Sequence, residues 1–273
     1  MPAALVTGAG GGLGLAIARM LAQRDYEVAV TDVDRAAAER AAGAIGTGAW
    51  PLALDVTDAA ACDAAAAAVA TRSGALDVWV NNAGILLPGL VHEQDPGAHR
   101  AMLDVNTLGT FNGTLAALAV MRPAGRGHVI NVVSLAGLVA APGEVAYAAS
   151  KHAAIAFSIG TLSDLRRAGI KGIDVSAICP DGIWSPMLED KLSDPDAAAS
   201  FSGTMLTPGK VAARVEGLLE KPRPVVTIPR WRGATVRLFD AFPRLTLPLV
   251  PLVMADARRR QARFKRKLER QSR

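Results

Sequence analysis

An open α/β fold, a doubly wound seven-stranded parallel sheet with helices on both faces, is predicted by three observations. Short β-branched or apolar runs alternate with longer Ala-rich stretches as far as residue 228 of the 273. A glycine cluster, Gly8 to Gly14, separates the first such run from the first Ala-rich stretch. A composition of 51% hydrophobic and 20% charged residues supplies a sizeable core and excludes a disordered chain. Strands that alternate with helices need right-handed crossovers, and these cover both faces of a parallel sheet.

The elements follow in order. Periodicity predicts strands over 3–7, 27–31, 49–54, 78–81, 128–133, 174–179 and 225–228. Helices are predicted near 12–24, 35–44, 58–73, 97–122, 145–168 and 208–220. Segment 185–206 has weak periodicity and reads as a lid beyond the strand ends. Ten of the 16 prolines lie from Pro180 onward. Segment 229–255 mixes proline with large apolar residues and cannot be one straight helix, because each interior proline removes a backbone hydrogen bond. Residues 1–229 are read as one domain and 230–273 as an extension, apolar and then basic.

The formal net charge of +5 belongs to the tail. Residues 256–273 carry nine Lys/Arg against two Asp/Glu, and the other residues carry 21 against 23. A near-neutral body argues against a nucleic-acid groove. Two readings of the tail stay open. It is either a surface helix over 256–273, solvated or packed on a partner subunit, or an interfacial anchor with 245–254 dipping into lipid beside the basic cluster. No stretch reaches the roughly 18–20 apolar residues of a spanning helix, and the run at 3–6 lacks the positive flank of a leader. Two cysteines, Cys62 and Cys179, make neither a disulfide framework nor a zinc site. The four histidines form no ligand-like pair, so no metal is expected. A reducing, cytoplasmic setting is expected, with peripheral membrane contact if the tail is an anchor.

Thr7-Gly8-Ala9-Gly10-Gly11-Gly12-Leu13-Gly14 follows a predicted strand and opens a predicted helix. Glycines let a backbone turn tightly against a pyrophosphate, whose charge the helix N-terminus favours. No Gly-Lys-Ser/Thr closes the motif, which excludes a P-loop. Asp32 ends the second strand 18 residues past Gly14, near the spacing of about 20 for a ribose-binding acid. A carboxylate there repels a 2′-phosphate, the glycine turn holds no Arg or Lys, and Arg35 comes three residues late. NAD is therefore favoured over NADP. Asp34, rather than Asp32, is the better placed cap for the following helix.

Further along come Asn81-Asn82-Ala83-Gly84, Asp104-Val105-Asn106-Thr107, Ser134 and Tyr147-x-x-x-Lys151. With the glycine turn, in this order and spacing, they resemble the short-chain dehydrogenase/reductase family, in its single-domain form with a Rossmann-like sheet. The resemblance covers about residues 3–228 and implies a dehydrogenase that moves a hydride between NAD(H) and a secondary alcohol or ketone. Tyr147 and Lys151 are four apart on a predicted helix and share a face. A free phenol titrates near 10, and a neighbouring ammonium with a cationic nicotinamide favours the phenolate, so the pKa of Tyr147 is expected to fall. The resemblance makes Tyr147 the general acid–base, Lys151 its partner and a hold on the nicotinamide ribose, Ser134 the group that orients the substrate oxygen, and Asn106 the residue that bends a helix and supports a water relay to the lysine.

Cofactor contacts are implied at Gly8, Gly12, Leu13, Asp32, Asp55, Val56, Asn82, Ala83, Gly84, Tyr147, Lys151, Pro180, Ile183 and Ser185. One departure stands out: Pro180-Asp181-Gly182-Ile183-Trp184-Ser185 has Asp181 where the family has glycine and Ser185 where it has threonine. The substrate is expected against Ser134, Tyr147, Trp184 and Met187, with Leu86, Leu87, Leu138, Val145 and Leu188 nearby. These are mostly apolar and suit a lipophilic alcohol or ketone, and the same residues also suit a lid core. A homodimer or homotetramer is implied through the long helices. A dinucleotide-sensing protein without turnover is the alternative, although a sensor has no need of a proton donor.

Overall fold

Residues 1–271 are described by a computed structural model of the chain. Seven strands form one parallel sheet: β1 (Ala3–Val6), β2 (Glu27–Asp32), β3 (Ala49–Ala53), β4 (Val78–Asn81), β5 (Gly127–Val132), β6 (Ile173–Pro180) and β7 (Val225–Ile228). Their spatial order is β3-β2-β1-β4-β5-β6-β7. The chain reverses its winding between β1 and β4, which opens a crevice beyond their C-terminal ends. Strand alternation divides the core into two layers. Ala4, Val6, Val28, Val30, Val78 and Val80 face one layer, and Ala3, Leu5, Ala29 and Trp79 face the other. Pro51 lies in β3, an edge strand, where a missing N–H is tolerated.

The helices are α1 (Gly12–Gln23), α2 (Arg35–Ile45), α3 (Ala59–Ser73), α4 (Pro96–Leu103), α5 (Gly109–Ala124), α6 (Val145–Arg167), α7 (Pro186–Glu189), α8 (Pro208–Glu220), α9 (Arg230–Ala241), α10 (Pro243–Thr246) and α11 (Val250–Gln271). One layer is closed by Ile17 and Leu21 of α1, Ala41 and Ala42 of α2, and Val211 and Val215 of α8. Cys62 and Val69 of α3, Ala116 and Met121 of α5, and Leu165 of α6 close the other. Side-chain caps start several helices: Asp34 accepts from Ala36 N at 2.9 Å, and Asp58 accepts from Ala60 N at 2.9 Å. Gly11, ahead of α1, offers no side-chain cap.

The helix expected over 97–122 is not continuous. A π-helical turn, Asp104–Leu108, separates α4 from α5. Asn106 sits in it, fully buried, with its side chain committed to the loop after β4. Such turns recur where a side chain is re-aimed toward a site.

The extension is bent by 96° between α9 and the segment that follows. Three prolines account for the breaks: Pro243 opens α10, Pro248 sits in a 3-10 turn, and Pro251 occupies the first turn of α11, where its missing N–H costs no hydrogen bond. The basic helix expected over 256–273 begins earlier, at Val250, and positions 272–273 lie outside the described residues. Among the described residues no single helix is long and apolar enough to cross a membrane.

Candidate active site

A cleft of about 1100 Å³ lies beyond the C-terminal strand ends, floored by the glycine turn and roofed by the lid. Gly8, Gly12, Leu13, Asp32, Asp55, Val56, Asn82, Ala83 and Gly84 line one end of it. Backbone alone builds the turn. Gly8 holds φ +59°, and a Cβ on it would stand 2.8 Å from Ala83 Cα; one on Gly14 would collide with the Gly8 carbonyl. Asn82 fixes the turn to β4 by donating from Nδ2 to the carbonyls of Thr7 and Gly8 at 2.9 and 3.0 Å. Thr7 Oγ1 accepts from the amides of Asn82 and Ala83. Asp32 secures the other side, accepting from Gly10 N at 3.0 Å and Asp34 N at 3.1 Å. The uncapped start of α1, the backbone-only turn and the flanking carboxylate fit a dinucleotide whose pyrophosphate meets the helix N-terminus and whose ribose meets Asp32.

At the other end α6 delivers Tyr147 and Lys151, both buried, and the end of β5 delivers Ser134. Lys151 Nζ stands 5.7 Å from the Tyr147 ring centre and donates to the Val132 carbonyl at 3.3 Å. Ser134 Oγ accepts from Ala136 N at 3.1 Å. Asn106 Oδ1 accepts from Ile85 N at 2.8 Å, while its Nδ2 donates to Ile85 O at 2.9 Å and Ser150 Oγ at 3.1 Å. This reciprocal pair fixes the loop that carries Gly84 and Ile85 past the lysine.

The expected fall in the Tyr147 pKa is not what this environment produces. Burial pushes the phenol above its ordinary value, the Glu144 carboxylate adds to the rise, and a hydrogen bond with Ser134 opposes it. Burial also pushes Lys151 down to about 8. Desolvation thus outweighs the Ser134 hydrogen bond, the one influence that lowers the phenol.

Glu144 was not among the expected site residues. It is 2% exposed, lines the cleft, and accepts from Ser200 N in the lid at 3.1 Å. Burial raises its carboxyl to about 7. It is the sole acid between 105 and 163, a signal that was present in the sequence.

Asp181 does not strain the backbone. Among the described residues Asp25 is the single non-glycine with positive φ. Asp181 Oδ2 accepts from Thr204 N at 2.9 Å and pairs with Arg232 Nε of α9 at 3.3 Å. Gly182 is the position that must stay small, since a Cβ on it would collide with the Ser200 carbonyl. Pro180, Ile183, Ser185 and Met187 line the cleft. Trp184, expected against the substrate, packs edge-on to Phe264 of α11 instead, with 4.9 Å between ring centres. Of the nearby apolar candidates, Leu86 and Leu188 join the lining.

The extension completes the far wall with Arg232, Val236 and Phe239 of α9 and Val250, Leu252 and Met254 of α11. It also straps the lid. Gln261 Nε2 donates to the carbonyls of Lys191 and Asp194 at 3.2 and 2.8 Å, and Lys265 Nζ donates to Ser193 Oγ at 2.9 Å.

Comparisons with known proteins agree with this architecture. The short chain dehydrogenase family model matches residues 2–196. The chain is similar to 2-(S)-hydroxypropyl-CoM dehydrogenase 3 of Xanthobacter autotrophicus, 35% identical over 234 residues, covering 81% of this chain and 91% of that one. It is similar to 3-beta-hydroxysteroid dehydrogenase of Comamonas testosteroni, 35% identical, covering 69% and 74%. In structure it resembles a short chain dehydrogenase/reductase of Burkholderia phymatum in complex with NAD, with a TM-score of 0.81 and 26% identity, covering 89% of this chain and 94% of that one. The chain belongs to the short-chain dehydrogenase family.

Proposed function

We propose that the chain interconverts a lipophilic secondary alcohol and its ketone with NAD(H), with Tyr147 as general acid–base. The observation that carries this reading is the convergence of Tyr147, Ser134 and Lys151 in a largely apolar cleft that also holds the glycine turn. When bound, the nicotinamide accepts or returns the substrate's hydride and adds a positive charge beside Tyr147 in its oxidised form.

The protein's own groups do the rest. Ser134 Oγ would hold the substrate oxygen within reach of Tyr147 Oη. In oxidation Tyr147 Oη takes the hydroxyl proton; in reduction it donates a proton to the carbonyl oxygen. Lys151 in its ammonium form favours the phenolate and would bond the nicotinamide ribose, with Ser185 beside the carboxamide. Asn106, anchored on Ile85, holds the Gly84 loop beside Lys151 Nζ and supports proton exchange at that amine. Gly8, Gly12, Leu13, Asp55, Val56, Asn82, Ala83, Gly84, Pro180 and Ile183 would surround the remainder of the dinucleotide.

Two features support NAD over NADP. Asp32 ends β2 beside the turn, where a carboxylate disfavours a 2′-phosphate. Arg35, the nearest cation in sequence, pairs with Glu39 at 2.9 Å. Apolar walls support a lipophilic substrate, and a relative named for a hydroxysteroid is consistent with one. Exposed Leu115 on α5 and Ile159 on α6 support a homo-oligomer formed through those helices.

The test is a reduced-nicotinamide absorbance assay over secondary alcohols and ketones graded in chain length and ring size, with each cofactor. NAD(H) is expected to exceed NADP(H) in kcat/KM by at least about tenfold, which corresponds to about 1.4 kcal/mol, and kcat/KM is expected to rise with apolar bulk. Equal use of both cofactors, or a preference for small polar alcohols, contradicts the reading.

A further inference from the structure

The extension carries an exposed apolar prow next to a fixed cationic helix. Leu238, Phe242, Leu245, Leu247, Leu249 and Leu252 are all exposed, Leu245 at 71% and Leu252 at 70%. Over 241–255 the chain holds a single charged residue, Arg244. Clustered apolar exposure of this kind marks a surface that meets something. Immediately after it, α11 places eight Lys/Arg over 258–270 with one acid, Glu269, among them. This helix is docked: Ala257 and Gln261 are buried against the lid, while Arg258, Arg259, Arg263 and Arg266 are exposed. Outside 256–273 the chain carries 21 Lys/Arg against 23 Asp/Glu, so the net positive charge belongs to the helix beside the prow.

We propose that the prow, residues 242–253, inserts into the interface of an anionic membrane while the exposed cations of α11 meet its headgroups. Apolar side chains next to a basic helix face match a bilayer's acyl boundary and its phosphate layer. A second copy of the chain is the poorer occupant, since a two-fold contact there brings two cationic helices together. No single described helix is long and apolar enough to cross, and α11 turns basic from Arg258, so the fit is an attachment in the plane of the surface, with a bent crossing by α9 and α11 as the competing geometry. Val250, Leu252 and Val253 belong to both the prow and the cleft wall, so a bilayer that seats the prow also lies at the cleft mouth. That a lipid-dissolved alcohol reaches Tyr147 by this route rests on the proposed dehydrogenase function; the docking itself does not.

The test is flotation of the full chain with vesicles of phosphatidylcholine alone and of two parts phosphatidylcholine to one part phosphatidylglycerol. At least about tenfold greater partition onto the anionic vesicles is expected, and it should collapse in high salt as the Debye length contracts. A double substitution, Leu245→Glu with Leu247→Glu, should abolish flotation. A triple substitution, Arg258→Glu, Arg259→Glu and Arg266→Glu, should remove the preference for anionic vesicles. The melting temperature is read alongside each variant to show that it folds. No flotation of the wild-type chain, equal flotation on both vesicles, or flotation unaltered in folded variants overturns the proposal. So does a double variant that lowers the mass of a soluble oligomer and leaves flotation intact, which would make this face a subunit contact. Partition is read without turnover, so a failed dehydrogenase assay leaves the result standing.

Discussion

Tyr147 lies between two opposed influences: a hydrogen bond with Ser134, which lowers its pKa, and Glu144 three residues before it, which raises it. Burial raises the phenol's pKa, and the carboxylate adds to the rise. Glu144→Gln removes that negative charge while keeping an acceptor for Ser200 N. Oxidation needs the phenolate, so the rising limb of its pH–rate profile should move to lower pH in this variant. The separation from wild type should widen above about pH 7, where the Glu144 carboxyl ionises. A profile that stays in place or moves to higher pH contradicts the electrostatic role. That Tyr147, Lys151 and Ser134 share one cleft was legible because the spacing is short: four residues separate Tyr147 from Lys151 on one helix, and Ser134 follows the neighbouring strand. Glu144 escaped notice because its partner, Ser200, lies 56 residues away in a segment without periodicity. The expected fall in the Tyr147 pKa counted on a cationic nicotinamide as well as on Lys151, and spacing does not reveal the burial that raises it among the protein's own groups.

At the level of elements, the end of β6, the lid and α9 are joined by Asp181 and Arg232. Asp181 is 7% exposed at its side chain and Arg232 19%, so the pair is well shielded from water. Arg232 also donates to Ser202 Oγ at 3.2 Å, tying α9 to the lid. Arg232→Ala leaves a buried carboxylate without its cation and should cost about 2–3 kcal/mol of unfolding free energy. Asp181→Ala in the same background should return part of that loss, giving a coupling of about 1–3 kcal/mol in a denaturant-based double-mutant cycle. Additive losses would show that the two side chains do not act as a pair. The anomaly at Asp181 was visible in the sequence as an acid at a glycine position. Its resolution was not, because the compensating arginine lies on the extension, 51 residues on. Periodicity over 97–122 hides the π turn at Asp104–Leu108; the resemblance pointed to a bend at Asn106, and the anchoring of Asn106 on Ile85 gives its physical basis.

For the whole molecule, the strand order and the crevice at the β1–β4 reversal follow from alternation and handedness, which are properties of the entire chain. The extension was the least legible part. Prolines foretold its breaks, but nothing local foretold that α9 and α11 would wall the cleft and strap the lid. Leu103, Leu108, Leu115 and Ile159 remain exposed on α4 to α6, alongside the stacked Phe111 and Phe157 rings, whose centres are 3.8 Å apart. Leu115→Glu with Ile159→Glu should reduce the mass measured by light scattering to that of a single chain. An unchanged mass contradicts a subunit contact through these helices. The central claim is that Tyr147 moves the proton in this cleft, and Tyr147→Phe tests it most directly, with initial rates and NADH binding measured on the same preparation. Removing the hydroxyl should lower kcat by about 10²–10⁴-fold while the dissociation constant for NADH stays within about twofold. A variant that keeps more than about a tenth of wild-type turnover would contradict the account, since the general acid–base contribution would then be too small to belong to this phenol.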